Sequence, residues 1–125
     1  REEFDSMIKS QRIRYVGWIN ASEIYKIFFA ANLGVFPGTH SVLWEEAIGC
    51  GLPCVFKKWD GFEHIDVCGN CIFLVDSSVD SIQNALTKCI DCNVAEEMRL
   101  NAEKARLQFC YSLIAKKAIE VNENV

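Results

Sequence analysis

The sequence predicts an α/β protein, a doubly wound parallel sheet with helices on both faces. Three observations carry that expectation. Short apolar runs bounded by turn residues alternate four times with stretches of helical spacing. The runs are almost continuously apolar, as strands covered on both faces are. The connecting segments are long enough for right-handed crossovers between parallel strands.

The strand candidates are RIRYVGW (12–18), LGVFPG (33–38), PCVFKK (53–58) and CIFLVDSS (71–78). Between the first two, NASEIYKIFFAAN opens with Asn20 three residues before Glu23, a capping-box pattern, and sets Ile24, Ile27, Phe28 and Ala31 on one face. SVLWEEAIGCGLP starts at Ser41 as N-cap and stops at Gly51, with Pro53 leading into the next strand. VDSIQNALTKCI places Ile82, Leu86 and Cys89 in one stripe, and from about Asn93 two further helices follow, divided near Cys110–Ser112. The last of them aligns Ile114, Ala118 and Val121. The opening REEFDSMIKS reads as an internal boundary of a longer protein.

Composition narrows the function classes. With 125 residues, half of them hydrophobic, the chain suits one domain with a real core. A net charge of -4 without a run of Lys or Arg gives no footprint for nucleic acid or an anionic membrane. No apolar run approaches the roughly 20 residues of a membrane span. The seven cysteines are odd in number, and several lie inside apolar segments such as GCGLPCVF, which points to free thiols in the cytoplasm.

CGNC (68–71) and CIDC (89–92) together read C-x2-C-x17-C-x2-C, a spacing compatible with four thiolates around zinc. In a doubly wound sheet both pairs fall at the amino edge of the strands. There Cys71 opens a core strand and Cys89 belongs to a buried helix stripe, so packing in a reducing cell is the favoured reading and no metal is expected. CGNC also precedes a strand, whereas a redox pair sits at a helix N-terminus after one.

Ligands of such sheets bind at the carboxyl ends of the strands. Here that edge comprises Gly17 and Trp18, Pro37 to Ser41, Lys57 to Asp60, and Asp76 to Ser78. The loop Gly38–Thr39–His40–Ser41–Val42 leads into a helix start whose free N–H groups suit a phosphate. Glu45 and Glu46 point about 100° apart. Glu45 falls on the solvated side with Ser41 and Gly49, whereas Glu46 stands among Val42, Leu43 and Cys50 and needs donors. A ribose would supply them, and so would a nearby Lys or Arg. Trp18 is the candidate base-stacking platform and Trp44 a packing residue. Asp60, Glu63 and His64 read equally as facing the cleft or as a solvated loop, and Lys57 and Lys58 at the crevice rim either assist a diphosphate or, by default, are solvated.

The succession YVGWINASEIYKIFFAANLGVFPGTHSVLWEEAIGCGLPCVF, DGFEHI, CIFLVDSSVDSIQNAL and NAEKARLQFCYSLIAKKAIEV resembles the carboxyl-terminal half of a GT-B glycosyltransferase. It is most similar to the retaining family 4, the glycosyl transferases group 1. The resemblance covers nearly the whole chain, and its most specific part is Glu46-Ala47 followed by Gly51 and Pro53. It implies a nucleotide-sugar-binding domain over 1–125, with Glu46 on the ribose, the loop Gly38 to Val42 facing diphosphate and sugar, and Gly17 and Trp18 near the base. The donor implied is a UDP-sugar ahead of a GDP-sugar, with no cofactor and an open acceptor identity.

Two departures accompany the resemblance. The family's first glutamate, eight positions before Glu46, is replaced by Gly38, so His40 or Ser41 would take its place. The family's diphosphate-binding Arg and Lys, its first strands and its acceptor domain have no counterpart in these residues. The chain alone is therefore expected to transfer no sugar, and its open sheet edge to invite dimerisation. A sugar-nucleotide epimerase of the same architecture and a zinc-stabilised, non-catalytic interaction domain are the alternatives.

Overall fold

The computed structural model describes residues 1–123. Its sheet has three parallel strands in the order β1 (Gly34–Phe36), β2 (Cys54–Lys57), β3 (Cys71–Leu74). Val35 faces Val55, and Val55 faces Ile72. Among the described residues six α-helices accompany it: α1 (Glu2–Met7), α2 (Ala21–Ala30), α3 (Leu43–Gly49), α4 (Val79–Ile90), α5 (Cys92–Ala105) and α6 (Tyr111–Glu123).

Side-chain alternation along β2 divides the core in two. Cys54 and Phe56 enter a cluster with Phe28, Trp44, Ala47, Ile48, Leu52 and Ile65, while Val55 joins Leu74 and Ala85 on the opposite face. A strand covered by helices on both sides requires this arrangement. In the larger cluster the Trp44 indole stacks on Phe56 at 4.4 Å, and Phe36 stacks on Phe56 at 5.3 Å. Burying such side chains contributes about 1.5–3 kcal/mol each. Trp44 is thus the packing residue its helical spacing suggests.

Side chains cap the starts of α2 and α4, the first as its Asn20–Glu23 pattern predicts. The Asn20 side chain accepts the Glu23 N–H at 3.0 Å, and the Ser78 hydroxyl accepts the Ser81 N–H at 3.1 Å. After α3, Gly51 adopts φ +76°, a left-handed conformation that ends the helix without the penalty a Cβ would bring. Two helices follow Asp91, divided near Cys110 as the sequence indicates.

Several expectations are corrected. RIRYVGW forms no strand, and Ile13, Tyr15 and Val16 are exposed. A strand persists only through a partner's ladder, and no described residue pairs with this segment; its nearest bonds are local, from the N–H groups of Arg12 and Ile13 to Ser10. Tyr15 instead meets Phe4 edge-on at 5.1 Å, which anchors α1, a helix the apolar pattern did not announce. Between this segment and α2 lies a cleft of about 790 Å³, and Ile27 turns into it rather than into the core. Ser41 does not cap α3 with its side chain; the helix starts one residue later, after Val42, and only the Ser41 carbonyl takes part by accepting the Trp44 N–H. From Tyr111 to Glu120 α6 is exposed, so Ile114 and Ala118 cover no core, and the side chain of Val121 lies outside the described residues.

One polar group organises the approach to β3. Asn70 is fully buried; its Oδ1 accepts the Val67 and Cys68 N–H groups, and its Nδ2 donates to the Ile65 carbonyl and the Cys71 sulfur. Asp66 complements it by accepting the N–H groups of Gly69 and Cys71. This loop delivers Cys71 into the sheet opposite Cys54.

Candidate functional site

The loops after the three strands are tied together at the carboxyl edge. The Ser77 hydroxyl donates to the Pro37 carbonyl, and the Trp59 indole N–H reaches the Gly38 carbonyl at 3.4 Å. Lys57 Nζ lies 4.8 Å above the Trp59 ring. Asp76 accepts the Ser78 N–H at 2.9 Å and the Ser81 hydroxyl at 2.7 Å, and these bonds, aided by Lys57, hold its carboxyl down to about 2. Three of the four stretches expected at the crevice therefore meet. The fourth does not share their contacts: Gly17 takes φ +64° to turn the chain, and Trp18 is fully exposed.

The two adjacent glutamates have separate partners. Glu46 Oε1 accepts the Tyr25 hydroxyl across the α2–α3 contact at 3.0 Å. This carboxylate lines a cleft of about 260 Å³ with Tyr25, Phe29, Gly49, Cys50, Phe109, Cys110 and Tyr111. Among the described residues nothing bonds Glu46 Oε2. The hydrogen bond to Glu46 raises the Tyr25 pKa, and Tyr111 is raised by desolvation and then by Glu46 and Glu45. Cys50 is raised by burial, while hydrogen bonds from Ser112 and the backbone lower Cys110. Glu46 is thus a carboxylate with an unspent acceptor in a partly apolar recess, and the Lys or Arg partner allowed by the sequence is replaced by a tyrosine.

Glu45 does not face solvent as its helical position implied. Its Oε1 lies 2.9 Å from His40 Nε2, and its Oε2 is buried without a hydrogen-bond partner. The His40 ring lies against Phe62 at 4.0 Å and meets the Trp44 edge at 5.1 Å. Among the described residues the side chains of Thr39 and Ser41 make no hydrogen bond. Of the loop Gly38 to Val42, His40 is accordingly the side chain held in place. Gly38 contributes only its carbonyl, and Val42 is exposed.

Sequence reasoning missed Tyr25, Phe62 and Tyr111. Tyr25 and Glu46 lie 21 positions apart and meet only when α2 packs on α3, so no spacing rule links them. Asp60 and Glu63 stay at the surface, with Glu63 accepting the Gly61 N–H, and His64 Nδ1 donates to the Gly61 carbonyl.

The four cysteines of the C-x2-C pairs do not converge. Cys71 is in the larger core cluster and Cys89 beside the smaller one, where it contacts the Met98 sulfur. Cys68 approaches the Asn101 carbonyl at 3.4 Å. Asn101 lies about 13 Å along α5 from Cys92 at ~1.5 Å per residue, too far for two thiolates to share a metal at ~2.3 Å bonds. Among the described residues no three His, Cys, Asp or Glu side chains group closely enough to hold a metal ion, which leaves the zinc-stabilised alternative without a site. All seven cysteines are free.

Sheet, crossovers and the crevice at the carboxyl edge define a mixed α/β domain that matches part of a Rossmann-like GT-B domain. Among solved structures the chain is similar to sucrose-phosphate synthase from Thermosynechococcus elongatus, with a TM-score of 0.76 and 17% identity. The match covers 98% of this chain and 33% of that one, so the chain spans about a third of that structure. At this identity the likeness is one of fold. No family model matches the chain, and no curated protein matches it in sequence. No helix among the described residues is long and apolar enough to cross a membrane.

Proposed function

We propose that the chain is the nucleotide-sugar-binding part of a retaining glycosyltransferase of family 4 type. The observation that carries this reading is Glu46 itself: a carboxylate fixed by Tyr25 through one oxygen, with the other unspent, beside a recess of about 260 Å³. Adjacent ribose hydroxyls are the donors such a group takes. The likeness in fold to a synthase that makes sucrose phosphate supports a sugar-transfer role. On this reading Gly38, Thr39, His40, Ser41 and Val42 face the diphosphate and sugar, and Gly17 and Trp18 approach the base. The exposed Trp18 ring, with no packing duty, is free to stack on it. The donor is a UDP-sugar ahead of a GDP-sugar.

Transfer with retention requires the donor to be oriented and the departing diphosphate stabilised by preorganised groups. These residues supply Glu46 for orientation, whereas Lys57 and Lys58 are the only cations at the rim read from the sequence. The 125 residues by themselves are therefore expected to bind donor without turning it over. The test is thermal stabilisation by UDP, GDP and ADP sugars. A ligand at 100 times its dissociation constant adds about 2.7 kcal/mol. Stabilisation by one nucleotide class supports the reading, and a melt unmoved by all three contradicts it.

A further inference from the structure

The outward face of α5 carries charges in a spacing that reads the same from both ends. Glu96, Arg99, Glu103 and Arg106 follow one another at steps of three, four and three residues, with alternating sign. Met98, Ala102 and Ala105 hold the opposite face in the core, so these four side chains stand about half exposed. Arg106 opens the short turn Arg106–Gln108 that continues α5. The row runs about 15 Å along the axis at ~1.5 Å per residue.

Each charge is already oriented within its own chain. Arg99 grips both oxygens of Glu96, through Nε at 3.0 Å and a terminal nitrogen at 2.9 Å, and Arg106 reaches Glu103 at 3.1 Å. The second pair lies over Gly51, where a Cβ would come within 3.1 Å of the Glu103 carboxylate. A guanidinium has about five N–H donors and a carboxylate about four acceptor sites, so both pairs keep capacity to spare. Isolated surface pairs contribute little, but a joined network of Arg–carboxylate contacts is the exception.

The row forms one wall of a cleft of about 510 Å³ whose other wall includes Phe29, Leu52 and Pro53. Phe29, Leu100 and Leu107 are exposed beside it. Leu52 and Pro53 lead into β2, so this face lies at the amino edge of the sheet, opposite the loops that follow the strands. The order of signs selects the partner. A parallel copy of α5 in register would set like charge on like, whereas an antiparallel copy sets every charge on its opposite.

We propose that this face docks a second copy of the chain, with the two α5 helices antiparallel about a twofold axis level with Asn101. Glu96 then meets the partner's Arg106, and Arg99 meets the partner's Glu103. The symmetry makes each contact twice. Phe29, Leu100 and Leu107 add the apolar area that charge alone does not supply. This surface is separate from the open edge of β1, and it does not depend on the donor-site reading.

The experiment is sedimentation velocity on chains that all carry Val35→Lys, which blunts the β1 edge and leaves the α5 contact to be read. Three forms are compared: the chain with no further change, an acidic form with Arg99→Glu and Arg106→Glu, and a basic form with Glu96→Arg and Glu103→Arg. All four positions are exposed, so circular dichroism is expected to show each form folded. The first form is expected to dimerise, and less tightly as salt is raised. Each reversed form sets like charges face to face, so its dissociation constant is expected to rise about 100-fold or more. Mixing the acidic and basic forms restores opposite charges at every contact, and the mixture is expected to dimerise again. A first form that stays monomeric, reversed forms that dimerise as before, or a mixture that stays monomeric each overturns the proposal. Should a reversal prevent folding, Arg99→Gln with Arg106→Gln takes its place, and a dimer unweakened by that change overturns the proposal too.

Discussion

Replacing Asn70 by alanine tests the account of how the fold delivers β3. The side chain is fully buried, and its amide answers the Val67 N–H at 2.8 Å, the Ile65 carbonyl at 3.1 Å and, more weakly, the Cys68 N–H at 3.4 Å. Alanine leaves the Val67 N–H unanswered and the Ile65 carbonyl with only the weak donor of the Cys71 thiol at 3.6 Å. Each buried group left without a partner costs about 1–3 kcal/mol. Water can reach the half-buried Val67 in part, which brings the expected loss to about 2–4 kcal/mol. Equilibrium urea unfolding reads it directly: with a slope of about 1–3 kcal/mol per molar for a small domain, the midpoint falls by about 1 M or more. A loss below about 1 kcal/mol would refute the reasoning, because it would mean that the loop satisfies its backbone without Asn70.

Other consequences are open to measurement. Asp76 has its carboxyl held near 2 against the usual 3.8 by Ser78 and Ser81, so its contribution to stability is present above about pH 4 and fades as pH falls towards 2; Asp76→Asn should flatten the urea midpoint across that window, and an unchanged profile would count against it. Burial raises Cys71 and pushes Cys54 up to about 12, so both thiols should resist a thiol reagent until unfolding, whereas Cys68, Cys92 and Cys110 react in the native state; early labelling of Cys54 would contradict the burial. Among the described residues β1 pairs on one side only, and its Val35 is exposed, so the chain should self-associate and Val35→Lys should weaken that association. A concentration-independent monomer in sedimentation would contradict this.

What the sequence disclosed and what it withheld have the same physical basis. Runs such as PCVFKK and CIFLV are apolar on both faces because both faces are covered, and they stand where they were expected. Asn20 and Gly51 are local devices whose chemistry is legible at short range. RIRYV carries the same apolar signal, but a strand also needs a partner for its ladder, and composition cannot state whether one is present. Helical spacing put Glu45 on the solvated face because it treats α3 as an isolated helix. The loop folding back through His40, and Phe62 arriving from beyond β2, turned that position into a half-buried contact. Glu46 was singled out from its apolar neighbours, yet its partner Tyr25 became visible only once α2 and α3 were packed.

The central claim, that Glu46 receives a ribose, is tested most directly by comparing UDP with 2′-deoxy-UDP in calorimetric titrations of the parent chain and Glu46→Ala, using GDP and 2′-deoxy-GDP if the guanine pair binds more tightly. The account predicts that the parent prefers the ribonucleotide by about 10-fold, the scale of one hydrogen bond to a charged group, and that Glu46→Ala binds both forms equally and weakly. Equal affinity of the parent for the two forms, or a ribose preference that survives Glu46→Ala, would contradict it.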